Sequence, residues 1–312
     1  MATASKYIKK CPTQVVCGDV SITSLNTSAI LGNVYKEHHA SEYVLDVQVD
    51  QAYTVAPTVI NVDEAFKKIV LEINGSEYYN ASSRAINALN SFVEQPGGVT
   101  TYNDGFASHV KFTIELHIEA EGMQEDFLTL VNKPDLLSLN ITTGDNSIFG
   151  NGTMTGNPLF TIRCRAKDYG IKQTYDDAGV WKMRVQERQA ENSTAIGAPR
   201  TLTLDGHCSM RHIALIAGTV VGSVFTPNDD VITDISYKIG GETTTTTWRA
   251  LKSMLKRQTG IDKTGVSGVI FGDTVSELGV VGAENFLLNY TQSNPAGATV
   301  SLRVATEALK LI

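Results

Sequence analysis

Long apolar runs are missing from this sequence. No segment approaches the roughly 18 consecutive apolar residues that a membrane-spanning helix needs. The opening stretch MATASKYIKKCPTQVVCGDV has lysines at 6, 9 and 10 and no apolar run after them, so it does not read as a secretion signal. The expectation is a chain that is soluble as made, in a cytoplasm. Cysteine is scarce: Cys11, Cys17, Cys164 and Cys208 form no CxxC pairs, which argues against a disulfide framework or a zinc site and leaves reduced thiols. Positive charge is in deficit too. With 26 Lys and Arg against 33 Asp and Glu, the net charge of -7 disfavours a phosphate-neutralising surface, so no direct nucleic-acid recognition is expected.

Catalytic signatures are absent as well. There is no G-x-S-x-G elbow, P-loop, H-E-x-x-H or EF-hand pattern, and GNGTMTG (Gly150 to Gly156) has the wrong spacing for a dinucleotide fingerprint and reads as a loop. Glu115, His117 and Glu119 share a strand face, a spacing that suits a divalent cation or an acid/base pair, although a solvated face is the simpler reading. His38 and His39 point oppositely on an extended chain, and His207-Cys208 has no second ligand pair. Asn228-Asp229-Asp230 after Pro227 reads as a turn, with weak calcium binding the lesser alternative. Trp181 and Trp248 read as packing residues. No enzyme activity, catalytic residue, metal, cofactor or small-molecule substrate is expected.

What is present is strand after strand. In HVKFTIELHIEAEG, Val110, Phe112, Ile114, Leu116 and Ile118 alternate with polar residues, after a turn signal at Asn103-Asp104-Gly105. Tyr43, Leu45, Val47 and Val49 share a face, as do Phe160, Ile162 and Cys164, which makes Cys164 a core thiol. HIALIAGTVV is apolar on both faces and predicts a strand covered on both sides. In YKIGGETTTTTWRALKSML, a strand through Ile235, Tyr237 and Ile239 turns at Gly240-Gly241 and returns as a threonine strand exposed on both faces. Thr247 then caps a helix whose apolar stripe is Leu251, Met254 and Leu255.

The first half repeats this arrangement. Ile69, Leu71 and Ile73 share a strand face, Asn74-Gly75 turns, Tyr78 and Tyr79 return, and Ser82 or Ser83 caps a helix carrying Ile86, Leu89 and Val93. Arg84-Ala85-Ile86 aligns with Arg249-Ala250-Leu251, and Phe160–Cys164 with Val300–Val304, each segment with an arginine at the same point. The offset is 166 at the strand (69 to 235) and 165 at the helix (84 to 249). Two elements keeping register in order predict a duplicated β domain. The boundaries read as an arm over 1–34, a first unit over 35–168, a polar connector over 169–204 with some strand-like content around Val180 to Val185, and a second, shorter unit over 205–312.

Two tandem β units, each with a Gly hairpin and a capped helix that begins Arg-apolar, resemble the double jelly-roll major capsid proteins of icosahedral, membrane-containing bacterial viruses, of the tectivirus, corticovirus and finnlakevirus type. The likeness rests on ITDISYKIGGETTTTTWRALKSML, its N-terminal counterpart, and NYTQSNPAGATVSLRV. It implies an all-β fold of two tandem eight-stranded jelly rolls, each with a short flanking helix. It also implies a homotrimer forming a pseudo-hexagonal tile of a virion shell, synthesised in the host cytoplasm. Neighbouring capsomers, penton or vertex proteins and an internal lipid membrane are the implied partners, with Lys6, Lys9 and Lys10 as inner-face contacts. The alternative class is a tandem β-sandwich that binds carbohydrate, as an adhesin or fibre protein, with Trp181, Trp248 and Tyr78 or Tyr79 holding sugar rings. A β-sandwich glycosidase is a third class, and no carboxylate pair nominates itself for it.

Overall fold

The computed structural model describes residues 13–31, 40–57, 60–73, 76–93, 101–102, 109–117, 137–168, 181–197, 199–204, 208–222, 224–239, 242–271, 280–282, 286–293 and 297–311. Alternation decides which residues meet. On His109–His117, Val110, Phe112, Ile114 and Leu116 are buried and the residues between them face outward, as period-2 patterning dictates.

In chain order the elements of the first half are β1 (Thr13–Ile22), β2 (Ser28–Leu31), β3 (Ala40–Asp50), β4 (Tyr53–Val55), β5 (Phe66–Ile73), β6 (Ser76–Ala81), α1 (Ser83–Val93), β7 (Thr101–Tyr102), β8 (His109–His117), β9 (Leu137–Thr143), β10 (Thr153–Met154) and β11 (Leu159–Asp168). The second half holds β12 (Trp181–Gln189), β13 (Pro199–Leu204), β14 (Cys208–Val221), β15 (Val224–Pro227), β16 (Ile232–Ile239), β17 (Glu242–Thr247), α2 (Trp248–Thr259), β18 (Val266–Ile270), β19 (Val280–Gly282), β20 (Phe286–Gln292) and β21 (Thr299–Leu311).

The pairing repeats strand for strand. In the first half β1-β11-β3-β8 faces β2-β9-β5-β6; in the second, β12-β21-β14-β18 faces β13-β20-β16-β17. Each set of eight is a jelly roll, with its helix between the fifth and sixth strands. The two are also joined. β12 pairs β6 in parallel through Val185 opposite Tyr79 and Gln186 opposite Asn80, so one sheet runs from the first unit into the second.

This pairing corrects the sequence-derived boundaries. The arm read over 1–34 contains β1 and β2, the first two strands of the first unit, and the connector read over 169–204 contains β12 and β13, their counterparts. β12 coincides with the strand-like content around Val180 to Val185, and the others are positioned by their partners, β1 lying along β11 and β13 along β20.

The change of offset from 166 to 165 also has a structural cause. Leu71 lies opposite Tyr79 and Glu72 opposite Glu77, so Tyr78 is an extra bulged residue on β6, whereas β16 and β17 pair without interruption. Lys6, Lys9, Lys10, Cys11, His38, His39, Asn74-Gly75, Asn103-Asp104-Gly105, Ile118, Glu119, His207 and Gly240-Gly241 lie outside the described residues.

Candidate functional site: the junction between the two units

Helix α1 decides the character of this junction. A helix on a domain surface buries one stripe, yet every residue from Ser83 to Phe92 is buried here. The reason is its position: α1 packs against β5 and β8 of its own unit and against β14 and β21 of the second. That explains why HIALIAGTVV is apolar on both faces. Ile213, Leu215 and Ala217 point into the second core, while Ala214 and Ile216 join the first, together with Phe225 and Ala305.

A helix buried on all sides must satisfy its polar groups locally, because an unpaired buried group costs about 1–3 kcal/mol. Arg84 donates through Nε (2.9 Å) and Nη2 (2.5 Å) to Glu64 Oε1. Asn87 Nδ2 donates to Asp63 Oδ1 at 2.7 Å, and Asn90 Nδ2 to the Glu115 carbonyl at 2.8 Å. The N-terminus is capped twice: Ser82 Oγ accepts from Ala85 N at 3.3 Å, and the carboxylate of Glu187, on β12, accepts from Ser82 N at 2.7 Å. The Arg84 and Arg303 guanidinium groups each lie 4.9 Å from the Phe225 ring, holding it between the units.

Beside the helix lies a buried charge cluster. Glu307 accepts from Arg211 Nη1 at 3.2 Å and sits 3.1 Å from His212 Nδ1, all three residues being buried. Burial by itself would raise the Glu307 carboxyl; the charges of His212, Arg211 and His117 outweigh it and hold the group below the usual carboxylate value. His117 Nδ1 stands 3.8 Å from Glu42 and its Nε2 3.8 Å from Glu115, and the Tyr79 hydroxyl donates to the His117 carbonyl at 2.5 Å. Burial, then Glu307 and Glu42, push that hydroxyl well above its ordinary value. The Glu115 and His117 face is thus half-buried and one end of it reaches the junction. No group of three or more His, Cys, Asp or Glu poised for a metal occurs among the described residues.

The remaining sequence candidates are structural in their surroundings. Asp229 is fully engaged: Oδ1 accepts from Trp248 Nε1 and Gly265 N, each at 3.0 Å, and Oδ2 meets Lys252 Nζ at 2.5 Å. Trp248 is 1% exposed, and Tyr78 and Tyr79 are each 2% exposed, so none of the three presents a ring to solvent. Thr247 Oγ1 accepts from Ala250 N at 3.2 Å, and Gly260 closes α2 in the left-handed region at φ 77°. Cys17, Cys164 and Cys208 are buried, with the Cys17 and Cys164 sulfurs 3.7 Å apart.

Sequence reasoning missed Glu64, Glu187, Phe225, Arg211, His212 and Glu307, the residues that make the junction. One signal was available. Asp63-Glu64 and Asp229-Asp230 stand at the repeat offset of 166, ahead of Arg84 and Arg249. The structure pairs Arg249 with Asp230 at 3.2 Å, as it pairs Arg84 with Glu64.

No family model and no curated protein matches this sequence. Solved structures do. The PBCV-1 virus capsid matches with a TM-score of 0.67 at 10% identity, over 99% of this chain and 96% of that one. The major capsid protein of Sulfolobus Turreted Icosahedral Virus matches with a TM-score of 0.67 at 14% identity, over 93% of this chain and 96% of that one. The major capsid protein of bacteriophage PM2 matches with a TM-score of 0.55 at 9% identity, over 96% and 98%. At such identities the likeness conveys the fold, and the fold is a double jelly roll.

Proposed function

We propose that this chain is a major capsid protein, which trimerises into pseudo-hexagonal capsomers that tile an icosahedral virion shell. The observation that carries the reading is the whole-length correspondence with capsid double jelly rolls. A shell requires broad complementary faces between identical subunits. The second unit leaves such a face open: α2 exposes Arg249, Ala250, Ser253, Met254 and Arg257 at the positions where α1 buries Arg84, Ala85, Ala88, Leu89 and Phe92.

Lys6, Lys9 and Lys10 are the proposed inner-face contacts to an internal lipid membrane, on the ground of their charge. Hexagonal tiles close into a shell with pentagonal vertices, so a vertex protein is the further partner this reading requires. Light scattering on the purified chain tests the proposal. A trimer mass is expected, with hexagonal tiles in electron micrographs; a monomer at all accessible concentrations overturns it.

A further inference from the structure

The repeat provides an internal comparison. On the first unit, the outer edge of β6 is occupied by β12 in parallel, Tyr79 opposite Val185 and Asn80 opposite Gln186. On the second unit, β17 is the counterpart of β6. Leu71 faces Tyr79 as Tyr237 faces Thr244, and Val70 faces Asn80 as Ser236 faces Thr245. β17 ends its sheet, paired with β16 alone among the described residues, and Thr243, Thr244, Thr245 and Thr247 are exposed. An open edge without proline or bulge is a template for another strand.

The strand that matches it is at the other end of the chain. β1 is the counterpart of β12: each opens its unit and lies antiparallel to the last strand of that unit. Position 15 faces Ala166 as Gln186 faces Thr306, and position 14 faces Lys167 as Val185 faces Glu307. β1 also ends its sheet, with β11 its one strand partner among the described residues. Within one chain, then, the fifth strand of the first unit meets the first strand of the second, while the fifth strand of the second unit and the first strand of the first have no outer neighbour among the described residues.

We propose that the open edge of β17 takes β1 of a second copy of this chain as a parallel neighbour, Thr244 opposite Gln14 and Thr245 opposite Val15. The inference rests on the shell reading and specifies its subunit contact. The contact is head-to-tail, so repeating it closes a ring when the rotation permits. It also accounts for the threonines: β-branching holds the edge extended, and hydroxyl groups keep it wetted until a neighbour arrives.

Cross-linking in the full-length chain tests the strand contact. Thr245→Cys and Val15→Cys chains, each also carrying Cys11→Ser, are co-expressed and treated with a short bis-maleimide. A covalent dimer is expected, at least tenfold over the control pair of Thr245→Cys with Lys238→Cys. Oligomers that form without this cross-link overturn the strand pairing and leave the shell reading standing. A dimer formed by Thr245→Cys chains alone reports β17 against β17 and likewise overturns it. A monomer in light scattering instead sinks the shell reading. Hydrogen exchange on the unsubstituted protein gives a second readout: amides of residues 243–247 should exchange at least tenfold more slowly in the assembled than in the dissociated protein, and equal rates overturn the pairing.

Discussion

Among single residues, Glu307 gathers a buried charge cluster, with Arg211 and His212 within 3.2 Å of its carboxylate. Its carboxyl lies below its ordinary value of 4.5 in the folded state, because His212, Arg211 and His117 outweigh its burial. A group so depressed takes up a proton less readily when folded than when unfolded. Its contribution is therefore fully present above pH 4.5 and is lost as pH falls through the lowered folded value. Substituting Glu307→Gln removes the carboxylate shared by Arg211 and His212, and about 3–5 kcal/mol of stability should go with it at neutral pH. The variant should also show a flatter loss of Tm below pH 4.5 than the unsubstituted protein, which thermal melts across pH would measure.

On the scale of elements, the two helices show how one local sequence logic meets two environments. Both follow a hairpin, both are capped by a hydroxyl, and both hold an arginine against an acid 19 or 20 residues earlier. Arg84 has a side chain 5% exposed and Arg249 one 86% exposed, because the second unit covers α1 and no described residue covers the same face of α2. Leu89 and Met254 occupy equivalent places, 1% and 48% exposed. In urea unfolding, Leu89→Ala should therefore cost about 2–5 kcal/mol, and Met254→Ala in the dissociated chain no more than about 0.5 kcal/mol. Comparable losses at both positions would contradict the inequality of the two faces. Close approach sets a further limit: a Cβ on Gly268 would fall 2.5 Å from the Phe92 ring and from the Ile213 carbonyl, so only glycine lets β18 lie under the helix.

For the whole molecule, the two units bear different outer walls on the same sheet. Ile216 and Ala305 of the second unit lie under α1, whereas the equivalent places on the first unit are Asp46 and Arg165, which form an ion pair. A wall covered within the chain never meets water and is built from apolar residues. One that a neighbouring copy would cover must first be soluble. The second unit by itself, residues 181–312, should accordingly expose Ala214, Ile216 and Phe225 and bind the dye ANS or aggregate in size-exclusion chromatography. A monodisperse, ANS-silent fragment would show that the junction is dispensable.

Much of this architecture is set by the order of side chains along the chain. Alternation at β3, β8 and β11, the threonine strand, the capped α2 and the duplicated order of elements are local or periodic properties, and each is carried by the sequence. The two-faced apolar pattern of β14 even announces a covering partner, without naming α1. The partner itself is decided in three dimensions. β1 and β2 take their places along β11 and β9, and β6 joins β12 across more than 100 residues of chain. The cluster of Arg211, His212, Glu307 and His117 is likewise assembled from distant segments. Pairwise contacts between remote positions leave no period in either segment. Only the folded chain brings them within hydrogen-bonding reach.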